Sequence, residues 1–597
     1  MSIATLLAGY RDGSQDPAEV IARAYERARS AAGPAWISLV AWDDVQAWLA
    51  RLRTAPADLP LYGVPFAIKD NIDLAGTPTT AACPAFAYTP QRSAFAVQRL
   101  IAAGAIPIGK TNMDQFATGL TGTRTPYGAC ASVADPRYIS GGSSSGSAVV
   151  VADGTVPFAL GTDTAGSGRV PAAFNGIVGF KPSVGRIGGS GVVPACRSLD
   201  CVSVLTTDVA GAERVLGVAG GPDPGDPYSR ARGPDARGAA RPWGAAGARI
   251  AVPRPDQLEF GGDAHAAAAW EHALARAAAL GWVLTEIDFA PFAEAAALLY
   301  GGPWVAERYA AVGAFVAARP DAVDPIVRQV IMAGGDVGAV ETFRAAHRLR
   351  ELAAQTAGVW ERSDALLAPT TPTVFTAAQI ADEPIARNAL LGTYTNFVNL
   401  LDLCAIAVPA SVRADGLPFG VSLIAPGGCD HALLALGAHW RDEHHGPGAD
   451  EATAGTVALA VVGAHLSGEP LNGQLVALGA RLLETTRTAP TYRLYALPDT
   501  EPAKPGLVGG GPPAVRGIEL EIWELSTESF GRVVAGVPAP LSIGTITLQD
   551  GRSVKGFLCE SSAVRDAPDI TAFGGWRAYR AVRGAGRGVG PVAKSTW

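Results

Sequence analysis

The amino-acid sequence predicts an α/β protein of two domains, of which the second is smaller and richer in β-strands. In the first part of the chain, short apolar runs typical of buried strands alternate with longer segments of helical apolar spacing. This alternation is characteristic of α/β domains. Near the carboxy terminus strand-like runs predominate, at 457–462, 492–497, 517–525 and 541–548. With 597 residues, 48% of them hydrophobic, the chain can bury more than one core.

The amino-terminal segments predict helices around one strand. Residues 16–32 carry apolar side chains on one helix face behind possible caps, and residues 37–50 show a similar pattern. A short apolar strand then ends at Lys69, and residues 94–103 have helical spacing. The order of these elements fits the start of an α/β domain.

Residues 104–111 match the phosphate-binding pattern GxxxxGK[ST] letter for letter. A phosphate-binding loop, however, needs backbone N–H groups that converge on the phosphates. Here the spacer is Ala-Ile-Pro-Ile, which is typical of a strand, and Pro107 has no N–H to donate. The sequence therefore predicts a core strand at this position and not a nucleotide site.

The alternation of strands and helices continues further along the chain. Residues 266–279 are alanine-rich and predict a helix. Segment 220–246 is rich in Gly, Pro, Arg and Asp, which predicts a long surface excursion. Strands are predicted at 250–253, 283–287, 366–369 and 405–409.

Two loops of small residues lie on either side of the strand-like run 156–160. The first is Gly-Gly-Ser-Ser-Ser-Gly-Ser-Ala at 141–148, and the second extends from Gly161 to Arg169. The apolar runs beside them argue against a flexible linker. Glycines let several N–H groups converge on one point, as binding a developing oxyanion requires, and a serine there is a candidate nucleophile. Alternatively, both loops are only helix N-caps packed against a sheet.

Lys69, at the end of its apolar strand, is the candidate general base. Burial disfavours the ammonium form and lowers the pKa of a lysine, so that a buried amine can act as a base near neutral pH. The plainer alternative is a lysine exposed at a strand end. All eight histidines lie at or beyond His265, and none of them has a recognisable catalytic setting.

With Lys69 and the two serine loops in this order, the chain resembles the amidase signature enzymes, which use a Ser-cisSer-Lys triad. The resemblance implies that Ser167 is the nucleophile, that Ser143 is the bridging serine after a cis peptide, and that Lys69 is the base. It also implies an α/β/α sandwich around a mixed sheet and a reaction that needs no metal or organic cofactor. The implied oxyanion hole consists of backbone N–H groups from Thr164, Ala165 and Gly166 up to Ser167.

The segment from Tyr300 to Arg308 is a candidate substrate-binding element. Gly301-Gly302 is expected to end one helix, and Pro303 suits the first position of the next. Arg308 would then lie about one turn inside the new helix. An aromatic hydroxyl and a planar guanidinium can together hold a small carboxylate. Alternatively, Arg308 pairs with a surface acid and Tyr300 packs in the core.

Within the amidase signature family, the chain is similar to the allophanate hydrolases. The similarity rests on the Ala165–Gly168 variant of the nucleophile loop, the Tyr300–Arg308 segment and the motif GAHLSGEPLN at 463–472. It implies that allophanate loses ammonia at the Ser167 site and that the resulting N-carboxycarbamate is decarboxylated with help from the second domain. It further implies a functional link to a urea carboxylase and a homodimer. Position 145 departs from many general amidases, which have glycine where this chain has serine.

His465 is the only histidine after residue 455 and belongs to this second-domain motif. Placed at the mouth of a pocket, its imidazole can donate to a carboxylate or shuttle a proton near neutral pH. A satisfied structural histidine is the alternative. The adjacent pair His444-His445 is expected to belong to a solvated linker and not to a metal site, since no other ligand-type cluster accompanies it.

Composition bounds the partners and the compartment. The net charge of −7, without a long basic run, argues against nucleic acid as the partner. Neither a secretory signal nor a membrane-spanning run is evident, and the seven scattered cysteines lack CxxC pairs, which predicts a cytoplasmic protein with free thiols. The predicted domains are 1–440 and 456–597, joined by a polar linker at 441–455.

Three other functions are compatible with parts of the sequence. The chain could be a broad-specificity amidase, or the amidotransferase subunit that supplies ammonia to a charged transfer RNA. The acidic balance and the second domain argue against the latter. A non-catalytic binding module is the third alternative, and intact Lys69, Ser143 and Ser167 argue against it.

Overall fold

The computed structural model describes residues 1–230, 247–441, 456–498, 500–510, 516–549 and 552–585. The chain divides into two compact units, Met1–Gly446 and Pro447–Trp597. Nearly all of the linker predicted at 441–455, including His444 and His445, lies outside the described residues. So do the second half of the surface excursion predicted at 220–246 and the glycine-rich carboxy terminus.

An eleven-stranded mixed sheet forms the centre of the first unit, in the order β1-β3-β2-β4-β6-β5-β10-β11-β9-β7-β8. Strands β2, β3 and β4 pair in parallel, as do β7, β8 and β9, while the strands that connect these two groups pair antiparallel. This sheet confirms the predicted α/β fold around a mixed sheet. The strands are β1 (Trp36–Leu39), β2 (Pro65–Lys69), β3 (Ile106–Thr111), β4 (Phe158–Asp163), β5 (Val178–Lys181), β6 (Cys201–Thr206), β7 (Arg249–Pro253), β8 (Val283–Ile287), β9 (Ala365–Pro369), β10 (Leu403–Val412) and β11 (Pro418–Pro426).

Helices accompany most of these strands. The apolar spacing of 16–32 gives a helix that begins at Pro17 behind Asp16, whose carboxylate accepts the N–H of Ala18 as an N-cap. The helices of the first unit are α1 (Ile3–Arg11), α2 (Pro17–Ser30), α3 (Trp42–Leu52), α4 (Phe95–Ala102), α5 (Ser145–Ala152), α6 (Arg169–Phe174), α7 (Val209–Ala219), α8 (Ala264–Ala279), α9 (Ala290–Gly301), α10 (Val305–Ala318), α11 (Pro325–Ala333), α12 (Ala339–Arg362), α13 (Ala377–Asp382), α14 (Ala386–Leu391), α15 (Phe397–Leu400) and α16 (Asp430–Trp440).

The helix predicted over 37–50 is wrong at its beginning. Residues 36–39 form strand β1, which pairs antiparallel with β3 at the edge of the sheet, and α3 begins only at Trp42. A four-residue edge strand is too short to produce a clear alternating pattern, so the helical spacing of the residues that follow dominated the prediction.

The segment with the phosphate-binding pattern is strand β3, and all six of its residues are buried. Lys110 Nζ lies 3.2 Å from Asp70 Oδ1, with both side chains fully buried, and it also donates to Thr79 Oγ1 at 3.0 Å. The lysine of the pattern is thus an internal ion-pair partner, and the predicted core strand is confirmed.

The pairing of β2 with β4 positions the candidate active site. These strands run parallel, with Phe66 opposite Phe158 and Ile68 opposite Leu160. Because parallel neighbours end at the same edge of a sheet, Lys69 at the end of β2 lies beside the loop that follows β4. The first serine loop leads into α5, and the second leads into α6.

The second unit contains a five-stranded sheet in the order β13-β16-β12-β18-β17 and a two-stranded ribbon, β14-β15. Its hydrophobic core includes Leu459, Leu494, Ile522 and Trp576. This arrangement agrees with the predicted smaller, β-rich α/β domain. Its elements are β12 (Thr456–Val461), α17 (Asn472–Ala477), β13 (Arg481–Arg487), β14 (Arg493–Ala496), β15 (Pro505–Val508), β16 (Glu519–Ser526), α18 (Thr527–Ala535), β17 (Leu541–Thr547), β18 (Ser553–Cys559) and α19 (Trp576–Ala585).

Within the described ranges, no helix is both long enough and apolar enough to cross a membrane.

Candidate active site

Lys69 is completely buried at the end of β2 and contacts two hydroxyl groups. Its Nζ donates to Ser143 Oγ and to Thr162 Oγ1, each at 2.7 Å. The exposed alternative for Lys69 is therefore wrong. Ser143 follows the non-proline cis peptide Gly142–Ser143, at the position where the family resemblance implied one.

Burial lowers the pKa of Lys69 to about 7, against the opposing effect of Asp114, Asp163 and Asp200. A substantial fraction of the amine is consequently neutral at physiological pH. A neutral amine has a lone pair that can accept the proton of the Ser143 hydroxyl, which reverses the direction of their hydrogen bond. The site thus has the electrostatic property that a general base requires.

The two serine loops are in direct contact. The N–H of Ser144 donates to the carbonyl oxygen of Ser167 at 3.2 Å, and Ser144 Oγ donates to the carbonyl of Thr162 at 3.2 Å. Ser167 is 2% exposed and precedes α6. The structure therefore brings Lys69, Ser143 and the Ser167 loop together, as the Ser-cisSer-Lys interpretation requires.

The loop of Ser167 is braced by a buried ion pair. Asp163 Oδ1 lies 2.9 Å from Arg169 Nη2, and both side chains are fully buried. The same carboxylate accepts the N–H of Gly166 at 2.9 Å and that of Gly168 at 3.1 Å. Although burial alone would raise the pKa of Asp163, Arg169, Lys181 and the N–H of Gly168 lower it, so the carboxylate remains ionised.

The residues predicted for the oxyanion hole differ in what their polar groups contact. The N–H of Gly166 is occupied by Asp163, whereas no acceptor among the described residues is found for the N–H groups of Ala165 and Ser167. Thr164 Oγ1 donates to a carboxylate oxygen of Asp200. Gly166 has φ +122°, and a Cβ there would lie 2.5 Å from Thr395 Oγ1, which explains the glycine.

Arg308 and Tyr300 lie together beside this cluster. The helix break predicted at Gly301-Gly302 is present, since α9 ends at Gly301 and α10 begins at Val305, although Pro303 precedes the new helix and does not start it. Arg308 Nη2 donates to Tyr300 Oη at 3.3 Å, and its Cζ lies 5.3 Å from the centre of the Tyr300 ring.

Arg308 is only 2% exposed, and no carboxylate of the described residues lies within ion-pair distance of it. The surface ion pair offered as the alternative for Arg308 is therefore wrong. Its Nη1 instead donates to Ala117 O at 3.3 Å and to Thr118 Oγ1 at 2.9 Å. Arg308 is also near enough to Lys69 to help lower the pKa of that amine. A buried guanidinium with no counter-ion among the described residues is suited to binding an anionic ligand.

Two contacts in the site were missed from the sequence, those of Thr162 with Lys69 and of Thr118 with Arg308. Thr162 lies within the recognised Gly161–Arg169 segment, but a threonine in a buried strand gives no separate signal. Thr118 follows a 3-10 turn that contains Phe116 and Ala117 at φ +49° and +52°. Non-glycine residues seldom adopt such angles, so no sequence pattern marks this loop.

In the second unit, His465 lines a cleft of about 680 Å³ together with Lys504 and Phe557. The imidazole stacks on the Phe557 ring with centroids 5.1 Å apart, and its Nε2 lies 3.2 Å from Gln474 Oε1. Burial lowers the pKa of His465 below its usual range. The structure thus places His465 in a pocket, while its chemical role stays a prediction.

The comparisons with known proteins agree with this geometry. Residues 19–434 match the Amidase family model, and residues 457–581 match the model of the allophanate hydrolase C-terminal domain. Because the first match covers well over half of the chain, this protein belongs to the amidase family. It is accordingly an amidohydrolase.

Several relatives resemble the chain over different lengths. Urea amidolyase of Saccharomyces cerevisiae is 42% identical over 576 residues, which is 91% of this chain and 31% of the relative. The chain thus spans about a third of that protein. A glutamyl-tRNA(Gln) amidotransferase subunit of Symbiobacterium thermophilum is 37% identical over 65% of this chain and 84% of its own length.

Among solved structures, selenomethionine-substituted allophanate hydrolase of Kluyveromyces lactis superimposes with a TM-score of 0.75 at 38% identity. The match covers 98% of this chain and 99% of that one. A urea amidolyase structure from the same yeast matches 98% of this chain but only 37% of its own, with a TM-score of 0.76 at 39% identity.

Proposed function

We propose that this protein is an allophanate hydrolase, in which Ser167 attacks the terminal carbonyl of allophanate and releases ammonia. The observation that carries the substrate assignment is Arg308, a buried cation beside the Lys69–Ser143 pair for which the described part of the chain provides no counter-ion. Allophanate has an amide at one end and a carboxylate at the other. One end would face Ser167 while the other is held by Arg308 and Tyr300.

The chemistry follows from the contacts of Lys69. In its neutral form, Lys69 accepts the proton of Ser143, and Ser143 in turn accepts the proton of Ser167 as Oγ attacks the carbonyl carbon. The negative charge that develops on the carbonyl oxygen would be stabilised by the N–H groups of Ala165 and Ser167, for which no acceptor is found among the described residues, since the N–H of Gly166 is occupied by Asp163. The C–N bond then breaks, and the same relay returns a proton to the departing nitrogen as ammonia leaves.

Water attacks the acyl-enzyme in the second half of the reaction and releases N-carboxycarbamate and free Ser167. Each proton that Lys69 accepts is returned within the cycle, so the sequence of steps balances without a metal or organic cofactor.

We further propose that the second unit promotes the loss of carbon dioxide from N-carboxycarbamate, with His465 as the candidate acid or base. The cleft around His465 and the family match over 457–581 support this assignment. Since the proposed substrate, allophanate, is a carboxylated urea, we infer a functional link to a urea carboxylase. Assembly as a homodimer and a cytoplasmic location remain predictions from the sequence.

The amidotransferase and broad-amidase alternatives are tested by the same experiment. Ammonia release is measured on allophanate, on malonamate, which retains the carboxylate, and on biuret, in which an amide replaces it. We expect the two carboxylates to be turned over at much higher kcat/KM than biuret. Equal values on all three substrates would indicate a broad amidase. Ammonia release from glutamine, and none from allophanate, would indicate an amidotransferase subunit.

A further inference from the structure

The guanidinium of Arg308 is held from one side by a single loop. Nη1 carries two hydrogens, and the two acceptors next to it are Ala117 O at 3.3 Å and Thr118 Oγ1 at 2.9 Å. Nη2 donates to Tyr300 Oη. Neither the hydrogen on Nε nor the second hydrogen on Nη2 has an acceptor among the described residues. The loop thus occupies Nη1 and leaves the Nε–Nη2 edge for a bidentate partner.

That edge has the geometry a carboxylate needs. Elsewhere in this structure, Arg169 binds Asp163 through its Nε and Nη2 atoms, each at 2.9 Å. A carboxylate of the substrate would meet Arg308 in the same way. Whether the Nε–Nη2 edge faces the substrate depends on what fixes the other side of the guanidinium.

Thr118 is the side chain that fixes the Nη1 side of the Arg308 guanidinium. The residue is completely buried, and its hydroxyl donates to Phe116 O at 3.1 Å while it accepts from Arg308. Its oxygen is therefore held in place from both sides. The left-handed conformations of Phe116 and Ala117 turn the loop so that the Ala117 carbonyl also faces Nη1.

The loop that contains Thr118 is also hydrogen-bonded to Ser143, the bridging serine of the proposed triad. The N–H of Asp114 donates to Ser143 O at 3.2 Å. The Asp114 carboxylate closes the loop by accepting the N–H of Gly122 at 3.0 Å and that of Arg124 at 2.9 Å. The loop 114–124 consequently fixes the distance between the chemistry at Ser143 and the cation at Arg308.

We propose that Thr118 is a positioning residue that makes Arg308 a receptor for the substrate carboxylate. The loop 114–124 thereby contributes to the preference for carboxylate-bearing amides. The inference rests on the proposed function, since it requires that Arg308 binds the carboxylate end of allophanate. Thr118 itself does not touch the substrate in this assignment.

The test compares Thr118→Val with Thr118→Ser. Valine keeps the β-branched shape and removes the hydroxyl, whereas serine keeps the hydroxyl and removes a methyl group. We expect Thr118→Val to lose about 10- to 100-fold in kcat/KM on allophanate, mainly through a higher KM, as for the loss of a hydrogen bond to a charged group. Thr118→Ser should stay within about threefold of the parent, and the loss on biuret should be below about threefold for both variants.

Malonate provides a measurement that does not depend on allophanate turnover. As a small dicarboxylate it should compete for the Arg308 site with biuret as the substrate, and its inhibition constant should rise about tenfold or more in Thr118→Val and not in Thr118→Ser. If Thr118→Val does not fold, Thr118→Ala removes the same oxygen without crowding and should show the same selective loss.

Equal losses on allophanate and biuret, or an unchanged malonate constant in the folded valine or alanine variant, would overturn the role of Thr118. Failure of the proposed function would appear differently, because the parent enzyme itself would then show no preference for allophanate over biuret.

Discussion

Lys69 Nζ and Ser143 Oγ lie 2.7 Å apart, and neither residue is exposed to solvent. The lysine cannot rely on water to stabilise its charge there, so its pKa falls to about 7. At this value the amine could exchange a proton with a hydroxyl at physiological pH. In the proposed triad, Lys69 would take the place of the imidazole that many serine hydrolases use.

The first prediction concerns Ser167. Ser167→Ala should reduce ammonia release from allophanate by at least about 10⁴-fold, because no other group would form the acyl-enzyme. Circular dichroism should be unchanged, since the side chain is small. Ser30→Ala, at the exposed end of α2, is the matched control and should retain full activity. Turnover by Ser167→Ala close to that of the parent would show that the nucleophile is another residue.

The second prediction is the pH dependence of the parent enzyme. The kcat/KM on allophanate should fall as pH decreases through about 7, because protonation of Lys69 removes the base. Lys69→Ala should lose activity nearly as completely as Ser167→Ala at every pH. A profile that is flat between about pH 5.5 and 8.5 would contradict Lys69 as the base.

The third prediction connects the same pKa with stability. The unfolded chain binds the Lys69 proton up to about pH 10.4, whereas the folded protein releases it near 7, so Lys69 makes the free energy of unfolding rise with pH between these values. Lys69→Met removes this contribution. Urea unfolding at several pH values should therefore show that Lys69→Met stabilises the protein more at about pH 6.5 than at about pH 9.5. A stability difference independent of pH would mean that the Lys69 pKa is not lowered.

The fourth prediction addresses carboxylate recognition. Arg308→Ala should weaken kcat/KM on allophanate by about 2–5 kcal/mol of transition-state stabilisation, while biuret should be affected much less. Arg308→Lys should restore only part of the loss, because an ammonium lacks the bidentate fork. Arg350→Ala, on the exposed side of α12, serves as the control. Equal losses on both substrates would mean that Arg308 supports the fold and not the substrate.

The fifth prediction concerns the second unit. With carbon-13-labelled allophanate, His465→Ala should release the ammonia of the first cleavage at the parental rate, while N-carboxycarbamate, which retains the second nitrogen, persists longer than in the parent. Truncation of the chain after Gly455 should have the same effect on the intermediate. His272→Ala, exposed on α8, is the matched histidine control. If carbonate forms at the same rate in all of these proteins, His465 and its domain have only a structural role.

The proposed triad could be located in the sequence because its residues lie in short, recognisable segments. Glycine and serine are dense around Ser143 and Ser167, and Lys69 ends a clear apolar run. Arg308 was singled out because two glycines and a proline predict the helix boundary before it, and its role stays a prediction. Strand β1 and the loop 114–124 could not be predicted, since an edge strand of four residues has no reliable period and left-handed Phe116 and Ala117 have no sequence signature.

Other misses came from tertiary context. The sequence predicted that the N–H of Gly166 belongs to the oxyanion hole, but this N–H donates to the Asp163 carboxylate. That carboxylate is held in place by Arg169. The contact of Thr162 with Lys69 could not be predicted from the sequence either, because it depends on the parallel pairing of β2 with β4. In both cases the residue type carries no signal of its own, and the contact depends on a residue that the fold brings beside it.

The separation in sequence between the proposed triad and the proposed carboxylate-binding residues has a consequence for redesign. The proposed triad and the Asp163–Arg169 ion pair beside it lie within residues 69–169, whereas Tyr300 and Arg308 come from α9 and α10, more than a hundred residues later. If Arg308 binds the substrate carboxylate as proposed, exchange of the α9–α10 segment for one with a different side chain at position 308 should change the molecule that is cleaved, while Lys69, Ser143 and Ser167 are retained. In the proposed assignment, the residues that break the bond and the residues that contact the carboxylate thus come from separate stretches of the chain.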